Sequence, residues 1–487
     1  MTLQDLITLI NPLHVTNRKA TLEVDRIVQN SRQITSGAAF IAIRGTEVDG
    51  HMFLEDAITR GAKVLICEES YYTEAEGVCV IEVENTRAIL GKVAQAFAGH
   101  PAQKLRIIGI TGTNGKTTTA TLVYQVLMGL GKKAALLGTV SKRILDKELD
   151  SSLTTSDPIE LANDMKMMVE AGCEFLVMEV SSHALSQSRV SGFDFEVAVF
   201  TNLSHDHLDY HSTLAEYANA KKLLFDGLPS TATAIINVDD AHGATMVTNT
   251  KAAVNTFSYR NDQNHILGNT ADGLTLIVDG VNIQSPLVGD FNAYNVAQAF
   301  LICKALGIPT LEVAKTLSIC SGASGRMETV VVNGANLPVV IVDYAHTPDA
   351  LENVLATLKN LKAAEQKLIC VFGAGGDRDP KKRPEMAIAA EKFADVIYVT
   401  SDNPRFEDPK LIIGDILKGF VESTKVQVVD NREEAITKAI TQATGNDIVL
   451  LAGKGHEDYQ DIRGIKHHLY DREVAEAALI AKAGEEK

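Results

Sequence analysis

No stretch of this 487-residue chain approaches the ~18 consecutive apolar residues of a membrane-spanning helix. The first residues, MTLQDLITLINPLH, carry acid before any base, so the basic start of a secretory signal is missing and a cytoplasmic protein is expected. Positive charge is in short supply: 46 Lys and Arg face 62 Asp and Glu, for a net charge of −16. That argues against general nucleic-acid binding, which needs a basic surface to displace counterions. It leaves room for small anionic substrates wherever cations are gathered locally. No CxxC pair occurs among the six cysteines (Cys67, Cys79, Cys173, Cys303, Cys320, Cys370). They sit mostly in apolar strings such as VLICEE and KLICVF, and read as reduced core residues rather than disulfides or metal ligands. Neither a repeat of 20–50 residues nor a low-complexity tract is present.

What the chain does have is a core-forming composition, 45% hydrophobic and 22% charged, which excludes disorder as its main state. Its length suggests roughly three domains. Short apolar β-branched runs alternate with longer helical patterns, the signature of α/β architecture with parallel sheets. Residues 1–100 form a first unit, with strands in AAFIAIRG, KVLICE and VCVIEV and helices near 53–61 and 86–99. AGHPAQKL reads as a linker. Residues 101–327 form a second unit with strands LRIIGIT, KAALLGTV, FLVMEVS, VAVFTNL and TAIINVD, closed by a helix at 291–305. Residues 328–487 repeat the pattern in PVVIVDYA, KLICVFGA, DVIYVTSD and DIVLLAGKG.

The strand LRIIGI ends in Thr111-Gly112-Thr113-Asn114-Gly115-Lys116-Thr117-Thr118, and a helical pattern follows. Glycines permit a tight turn in which backbone N–H groups converge on phosphates at a helix N-terminus. Lys116 can reach the β- and γ-phosphates of a nucleotide, and the Thr117 hydroxyl can bind Mg²⁺. Strict Walker spacing requires glycine at 110, where this chain has Ile110. A second cluster lies where two further strands end: Glu179, Ser181, Ser182 and His183, then Ser204-His205-Asp206-His207-Leu208-Asp209-Tyr210-His211. In a parallel sheet such strand ends face the ligand crevice, and a carboxylate and an imidazole there suit a divalent metal. The same segment offers a rival, because His-x-His-x-Asp resembles the metal motif of metallo-β-lactamase-type zinc hydrolases. In that pattern histidine directly follows the aspartate, whereas here Tyr210 intervenes.

Taken together, TGTNGKTT, MEVSSHAL, FTNLSHDHLDYH, YANAKK, GDFNAYNVAQA, GRME, VDYAHTPDAL, FGAGGDRDPKKRP, SDNPR and AGKGHEDYQ resemble the ATP-dependent Mur ligases of bacterial cell-wall synthesis, in family order. NSRQITSGAAFIAIRGTEVDGHMF resembles that family's UDP-substrate domain. The resemblance implies a three-domain α/β enzyme. A central P-loop ATPase-like parallel sheet (101–327) is flanked by an N-terminal UDP-substrate domain (1–100) and a C-terminal Rossmann-like domain that binds the amino acid (328–487). It implies an amide-bond ligase of the acid–amino-acid class, acting in peptidoglycan synthesis as a monomer. ATP phosphorylates the D-glutamate γ-carboxylate of UDP-MurNAc-L-Ala-D-Glu, and an amine attacks the acyl phosphate.

By the same resemblance, Gly112, Thr113, Asn114, Gly115, Lys116, Thr117 and Thr118 hold ATP phosphates. Thr117 and Glu179 hold Mg²⁺, and His207 with Lys221 holds a second ion. A bare lysine would repel Mg²⁺. In the family the YANAKK lysine is carboxylated by CO₂ to an anionic ligand, which places the carbamate on Lys221. Asn292 and Asn295 belong near adenine, although Asn292 taken alone reads as a helix N-cap. Arg326, Asp343 and His346 belong on the nucleotide. Ser31, Thr46, Glu47, Val48, Thr154, Thr155, Ser181, Gln187 and Arg189 belong to the UDP-substrate site, with Leu153 where the family often has asparagine. Arg378, Asp402, Asn403, Pro404, Arg405, Gly453 and Glu457 form the amino-acid site. DNPR resembles the subclass that adds meso-diaminopimelate, whose extra carboxylate a guanidinium pairs bidentately. A lysine-adding ligase and a folylpolyglutamate synthase-like ligase are the remaining alternatives.

Overall fold

The computed structural model describes residues 1–487 apart from 18–21, 46–47, 150–152, 205–209, 262, 271–272, 333, 335 and 486–487. The chain forms two compact units, one of residues 1–120 and 127–257, the other of residues 121–126 and 258–487.

In the first unit, a five-stranded sheet is built from His14–Thr16, Ile27–Val28, Ala39–Ile41, Val64–Cys67 and Cys79–Glu82. Four of its strands run parallel, and His14–Thr16 pairs antiparallel at the edge. The second sheet has eight strands. Its centre is Arg106–Thr111, flanked in parallel by Phe175–Glu179 on one side and Phe195–Phe200 on the other. Beyond these lie Ala134–Leu137 and an antiparallel hairpin (Lys142–Ile144, Lys147–Leu149) on one flank, and Thr233–Asn237 and Ala253–Phe257 on the other. The central strands are buried on both faces, which is why they read as unbroken apolar runs and not as alternating ones. The chain passes from the central strand to one flank and later crosses to the other, so a switch point opens at the carboxyl end of Arg106–Thr111.

The second unit carries a three-stranded antiparallel meander (His265–Thr270, Gly273–Val278, Val281–Ser285) that the α/β pattern does not announce. Short strands with one wet face carry no continuous apolar signal. Its main sheet has six strands in the order Glu328–Val330, Val339–Asp343, Ile448–Ala452, Leu368–Phe372, Val396–Val399, Val426–Val428. All pair in parallel except Glu328–Val330. The carboxyl ends of four adjacent strands therefore lie side by side, and each one leads into a polar motif. A small hairpin, Tyr459–Ile462 with Ile465–His468, follows the last of them. All six cysteines are free and buried, as their apolar surroundings in the sequence imply. Among the described residues no helix is long and apolar enough to cross a membrane.

Candidate active site

The phosphate-loop segment turns at Gly112 (φ +150°) and Gly115 (φ +86°). A Cβ on Gly112 would stand 1.8 Å from the Thr201 hydroxyl, so only glycine lets the loop lie this close to the neighbouring strand end. That neighbour braces the loop. Thr113 N–H donates to Asn202 O (2.8 Å), Asn114 N–H to Asn202 Oδ1 (3.0 Å), and the Thr201 hydroxyl to Asn114 O (2.7 Å). Ile110, where strict Walker spacing has glycine, lies inside the strand, buried and in register with Glu179 and Val199. The tight turn starts two residues later, which accounts for the departure. Helix Lys116–Gly129 begins at once after the loop. Lys116 Nζ donates to Gly112 O (2.9 Å) and Thr113 O (2.8 Å), folded over its own loop.

Glu179 is fully buried at the adjacent strand end. Its Oε2 accepts from the Thr117 hydroxyl at 2.9 Å, and its Oε1 from Thr139 N–H at 2.8 Å. A carboxylate touching a hydroxyl beside a phosphate loop is a hard-oxygen donor set, which fits Mg²⁺. The two lysines of YANAKK diverge. Lys221, 1% exposed, sends Nζ to Gly112 O at 2.7 Å and stacks over the Tyr217 ring, whereas Lys222 pairs with Asp226 on its own helix. His207, Thr46 and Glu47 lie outside the described residues.

Beside Glu179, the Thr155 hydroxyl donates to Glu179 O (2.9 Å) and accepts from Ser181 N–H. Ser181 caps the short helix Ser182–Ser186, and Thr154 and Thr139 share a hydrogen bond of 2.9 Å. Arg189 donates to Thr155 O (2.8 Å) and to Gln187 Oε1 (2.8 and 3.2 Å). These partners are neutral oxygens, and burial pulls its guanidinium below its ordinary range. A desolvated cation with no carboxylate in contact among the described residues suits an anionic ligand. Tyr210 joins this group by accepting from Gln187 Nε2 at 3.1 Å, a residue that only its position in the histidine-rich segment signals. Ser31 opens the one-turn 3-10 helix Ser31–Gln33, and Val48 lies on a loop after strand Ala39–Ile41. The Ser31 hydroxyl and Arg60 together hold the Asp56 carboxyl below the usual range, Arg60 having the larger effect, and Val48 is exposed. No hydrogen bond among the described residues joins these two to the Arg189 group.

In the second unit, helix Asp290–Ala305 is capped by Gly289, so Asn292 is not the N-cap that its residue type suggests. Asn292 and Asn295 are buried on one face, Asn295 Nδ2 donating to Asn292 Oδ1 at 2.9 Å. Asp343 is buried with both oxygens on main chain: Met327 N–H (2.8 Å) and Ala345 N–H (2.9 Å). Burial pushes its carboxyl above the usual range against these bonds. What the structure gives Asp343 is the holding of two turns. Arg326 lies 5.1 Å from the Tyr344 ring centroid, with His346 and His456 against the same ring. The turn and the GKG loop interlock: a Cβ on Gly325 would meet Gly455 C at 2.2 Å.

Burial, reinforced by Arg326, pushes the His456 imidazole down to about 4. Its unfolded counterpart takes up a proton nearer 6.5, so protons favour the unfolded chain in that window. The contribution is complete above about 6.5 and is lost as pH falls toward about 4. The His456→Gln variant should therefore show a flatter stability–pH curve over this range in denaturant titrations. The wild-type His456 ring resonances should not titrate between pH 5.5 and 8, a window on the order of one unit clear of the shifted value.

The remaining motifs meet at the adjacent strand ends. Arg405 adopts φ +50° and donates from Nη1 to Gly376 O at 2.6 Å. Arg378 is exposed, and neither arginine has an ion-pair partner among the described residues. Burial lowers the Lys382 ammonium below its ordinary range, and Arg378, Arg383 and Arg405 press it the same way. Asn403 Nδ2 donates to Glu457 Oε2 at 2.7 Å. Asp402 is buried with Oδ1 on Asn403 N–H, and a Cβ on Gly453 would come within 2.8 Å of its Oδ2. Pro404 O accepts from Glu407 N–H. Sequence reasoning does not single out Arg383. It is 2% exposed, its Nη2 donates to both Glu407 oxygens (2.8 and 2.9 Å) and its Nη1 to Asp415 (2.9 Å), and Glu407 also receives Asp377 N–H, which fastens the GGDRD loop to DNPR.

Three family models match the chain: "Mur ligase family, catalytic domain" over 23–98, "Mur ligase middle domain" over 110–303 and "Mur ligase, glutamate ligase domain" over 325–455. Among curated proteins, the UDP-N-acetylmuramoyl-L-alanyl-D-glutamate–2,6-diaminopimelate ligase of Cytophaga hutchinsonii is 44% identical, covering 98% of this chain and 99% of the relative. The protein of the same name from Clostridioides difficile is 41% identical over 97% of this chain and 98% of its own. A solved structure with that name superposes with a TM-score of 0.74 at 33% identity, covering 99% of both chains. A folylpolyglutamate synthase from Mycobacterium tuberculosis matches in fold alone, at 20% identity and TM-score 0.58 over 75% of this chain and 92% of that one. These matches run through the histidine-rich segment, so the zinc-hydrolase alternative is set aside.

Proposed function

The chain belongs to the Mur ligase family, ATP-dependent ligases, and we propose that it joins meso-diaminopimelate to the γ-carboxylate of UDP-MurNAc-L-Ala-D-Glu. The observation that carries the choice of amino acid is the cluster at the strand ends. Arg378, Arg405 and Lys382 crowd positive charge with no carboxylate bound to the two arginines among the described residues, while Glu457 stands nearby as the acid. Such a site suits a ligand that brings its own carboxylate and an ammonium together.

The chemistry follows from what each partner lacks. A carboxylate is a poor electrophile, and transfer of the γ-phosphoryl group of ATP gives it a leaving group. The amine nitrogen then attacks the acyl carbon, the C–O bond to phosphate breaks, and the nitrogen loses a proton. Amide, ADP and phosphate result. The loop amides, Thr113, Asn114, Thr118 and Lys116 bind and orient the phosphates. Asn292, Asn295, Arg326 and His346 serve the nucleotide, with Asp343 shaping the turns that carry Arg326 and His346. Thr154, Thr155, Ser181, Gln187 and Arg189 hold the substrate carboxylates, with Ser31 and the 46–48 segment on the UDP portion. Thr117 and Glu179 would hold Mg²⁺, which supplies charge neutralisation for the crowded phosphates. Lys221 is the lysine for carbamylation: it is buried against the phosphate loop, where an anionic group is useful and a second cation is not, and His207 would share its metal. In this reading segments 1–100, 101–327 and 328–487 serve UDP-substrate, ATP and amino acid in turn.

The test is phosphate release with ATP, Mg²⁺ and UDP-MurNAc-L-Ala-D-Glu, in the presence of meso-diaminopimelate, L-lysine or no amine. Release with diaminopimelate alone is the expected result. Release with lysine instead would keep the ligase and overturn the amino-acid assignment.

A further inference from the structure

Lys454 lies in the GKGHED loop, and its side chain is fully buried. Its Nζ donates to Asn403 Oδ1 (3.2 Å), to Glu457 Oε2 (3.4 Å) and to Tyr459 O. Asn403 closes the circuit, taking Asp461 N–H on Oδ1 (2.9 Å) and giving Nδ2 to Glu457 Oε2 (2.7 Å). Glu457 is the only carboxylate within ion-pair distance of Lys454 among the described residues. The other buried cation nearby, Arg432, is already matched by Asp471 through bonds of 2.8 and 2.6 Å.

From this geometry we infer that Lys454 is the positioning residue of the amino-acid site. It acts through Asn403 and Glu457, and the inference rests on the amino-acid assignment made above. Three consequences follow from the bonds. Lys454 and Asp461 N–H both need an acceptor, so the Asn403 amide is fixed with its oxygen toward them and its nitrogen toward Glu457. Glu457 Oε2 is thereby committed to two donors. The other oxygen, Oε1, has no hydrogen-bond partner among the described residues and is the acceptor left for an incoming amine. Finally, Lys454 and Glu457 together carry no net charge. The acid that receives the amine therefore adds no repulsion against the carboxylates that Arg378 and Arg405 receive. A buried ammonium facing one carboxylate is costly to break from either side, which makes the pair rigid.

The experiment is a steady-state cycle of Lys454→Met, Glu457→Gln and the double variant, on full-length protein, with KM measured for all three substrates. We expect Lys454→Met to raise KM for diaminopimelate at least ~10-fold, with KM for ATP and for the UDP-substrate within about twofold, since truncating one partner of a buried charge pair has a large local effect. The double variant should be no worse than the poorer single variant, because both remove one interaction. Equal losses for all three substrates, or strictly multiplicative effects of the two changes, would overturn the inference. A Glu457→Gln variant with unchanged KM for diaminopimelate would instead overturn the amino-acid assignment itself. Should Lys454→Met fail to fold, Lys454→Gln takes its place; it keeps a donor for Asn403 and Tyr459 O without the charge, and the same outcomes decide.

Discussion

Lys116→Met is expected to lower phosphate release at least ~10³-fold in kcat while the protein still folds. Lys116 is the one cation whose stem leaves from the first residue of the helix behind the loop, so its ammonium is aimed at the phosphates by backbone geometry. That ammonium donates to Gly112 O and Thr113 O. Binding of triphosphate exchanges two neutral carbonyls for anionic oxygens, a stronger partner set. Methionine matches the length of the stem without the charge. It forfeits two hydrogen bonds worth about 1 kcal/mol each at a partly exposed site, against bracing by Thr201, Asn202 and Asn114 that the change leaves alone. Thermal melting should therefore shift by only a few degrees while turnover collapses. Retention of a tenth or more of kcat would mean that the lysine does not meet the transferring phosphoryl group.

Much of this site was legible in the sequence because its parts are local. A strand, a glycine turn, a lysine and a helix within about a dozen positions fix one another's geometry. Glu179 was legible for a related reason: a carboxylate ending an apolar parallel strand must face the crevice. The polar motifs of the second half were legible one by one. That four of them meet follows only from the strand order, in which Ile448–Ala452 inserts between Val339–Asp343 and Leu368–Phe372. The residues that hold the motifs were not legible. Arg383 finds Glu407 and Asp415 across 24 and 32 positions, Arg432 finds Asp471 across 39, and Lys454 finds Asn403 across 51. In sequence each is one more charge in a chain where charged residues are 22% of the total. Only burial distinguishes them. Asp343 reads the other way: its motif marks it as a ligand contact, and the structure has both its oxygens occupied by main-chain amides.

Arg405→Asn should cut kcat/KM for meso-diaminopimelate by about 10²–10³-fold and leave activity toward L-lysine, whatever its level, nearly unchanged. Arg405 sits at φ +50°, a conformation that costs a non-glycine residue roughly 1–2 kcal/mol. Main-chain bonds hold it there, Arg405 N–H to Asp461 O at 2.9 Å and Arg463 N–H to Arg405 O at 2.7 Å. Strain maintained by a surrounding hairpin is a sign of a side chain that must point one way. Asparagine tolerates the same backbone, so the substitution removes the guanidinium without disturbing the turn. Among the described residues only one guanidinium nitrogen has a hydrogen bond, from Nη1 to Gly376 O, which leaves the rest of the fork for a carboxylate. Losing a bidentate, partly desolvated pair costs about 3–4 kcal/mol, hence the stated range. Lysine has no distal carboxylate and so has nothing to lose at this position. Arg405→Lys separates charge from shape: an ammonium is a point donor that cannot grip both carboxylate oxygens in one plane, so it should recover part of the loss and not all of it. If both variants reduced diaminopimelate and lysine turnover by the same factor, Arg405 would be shaping the loop and not reading the carboxylate. The source of selectivity would then have to be Arg378, the exposed arginine across the same strand ends.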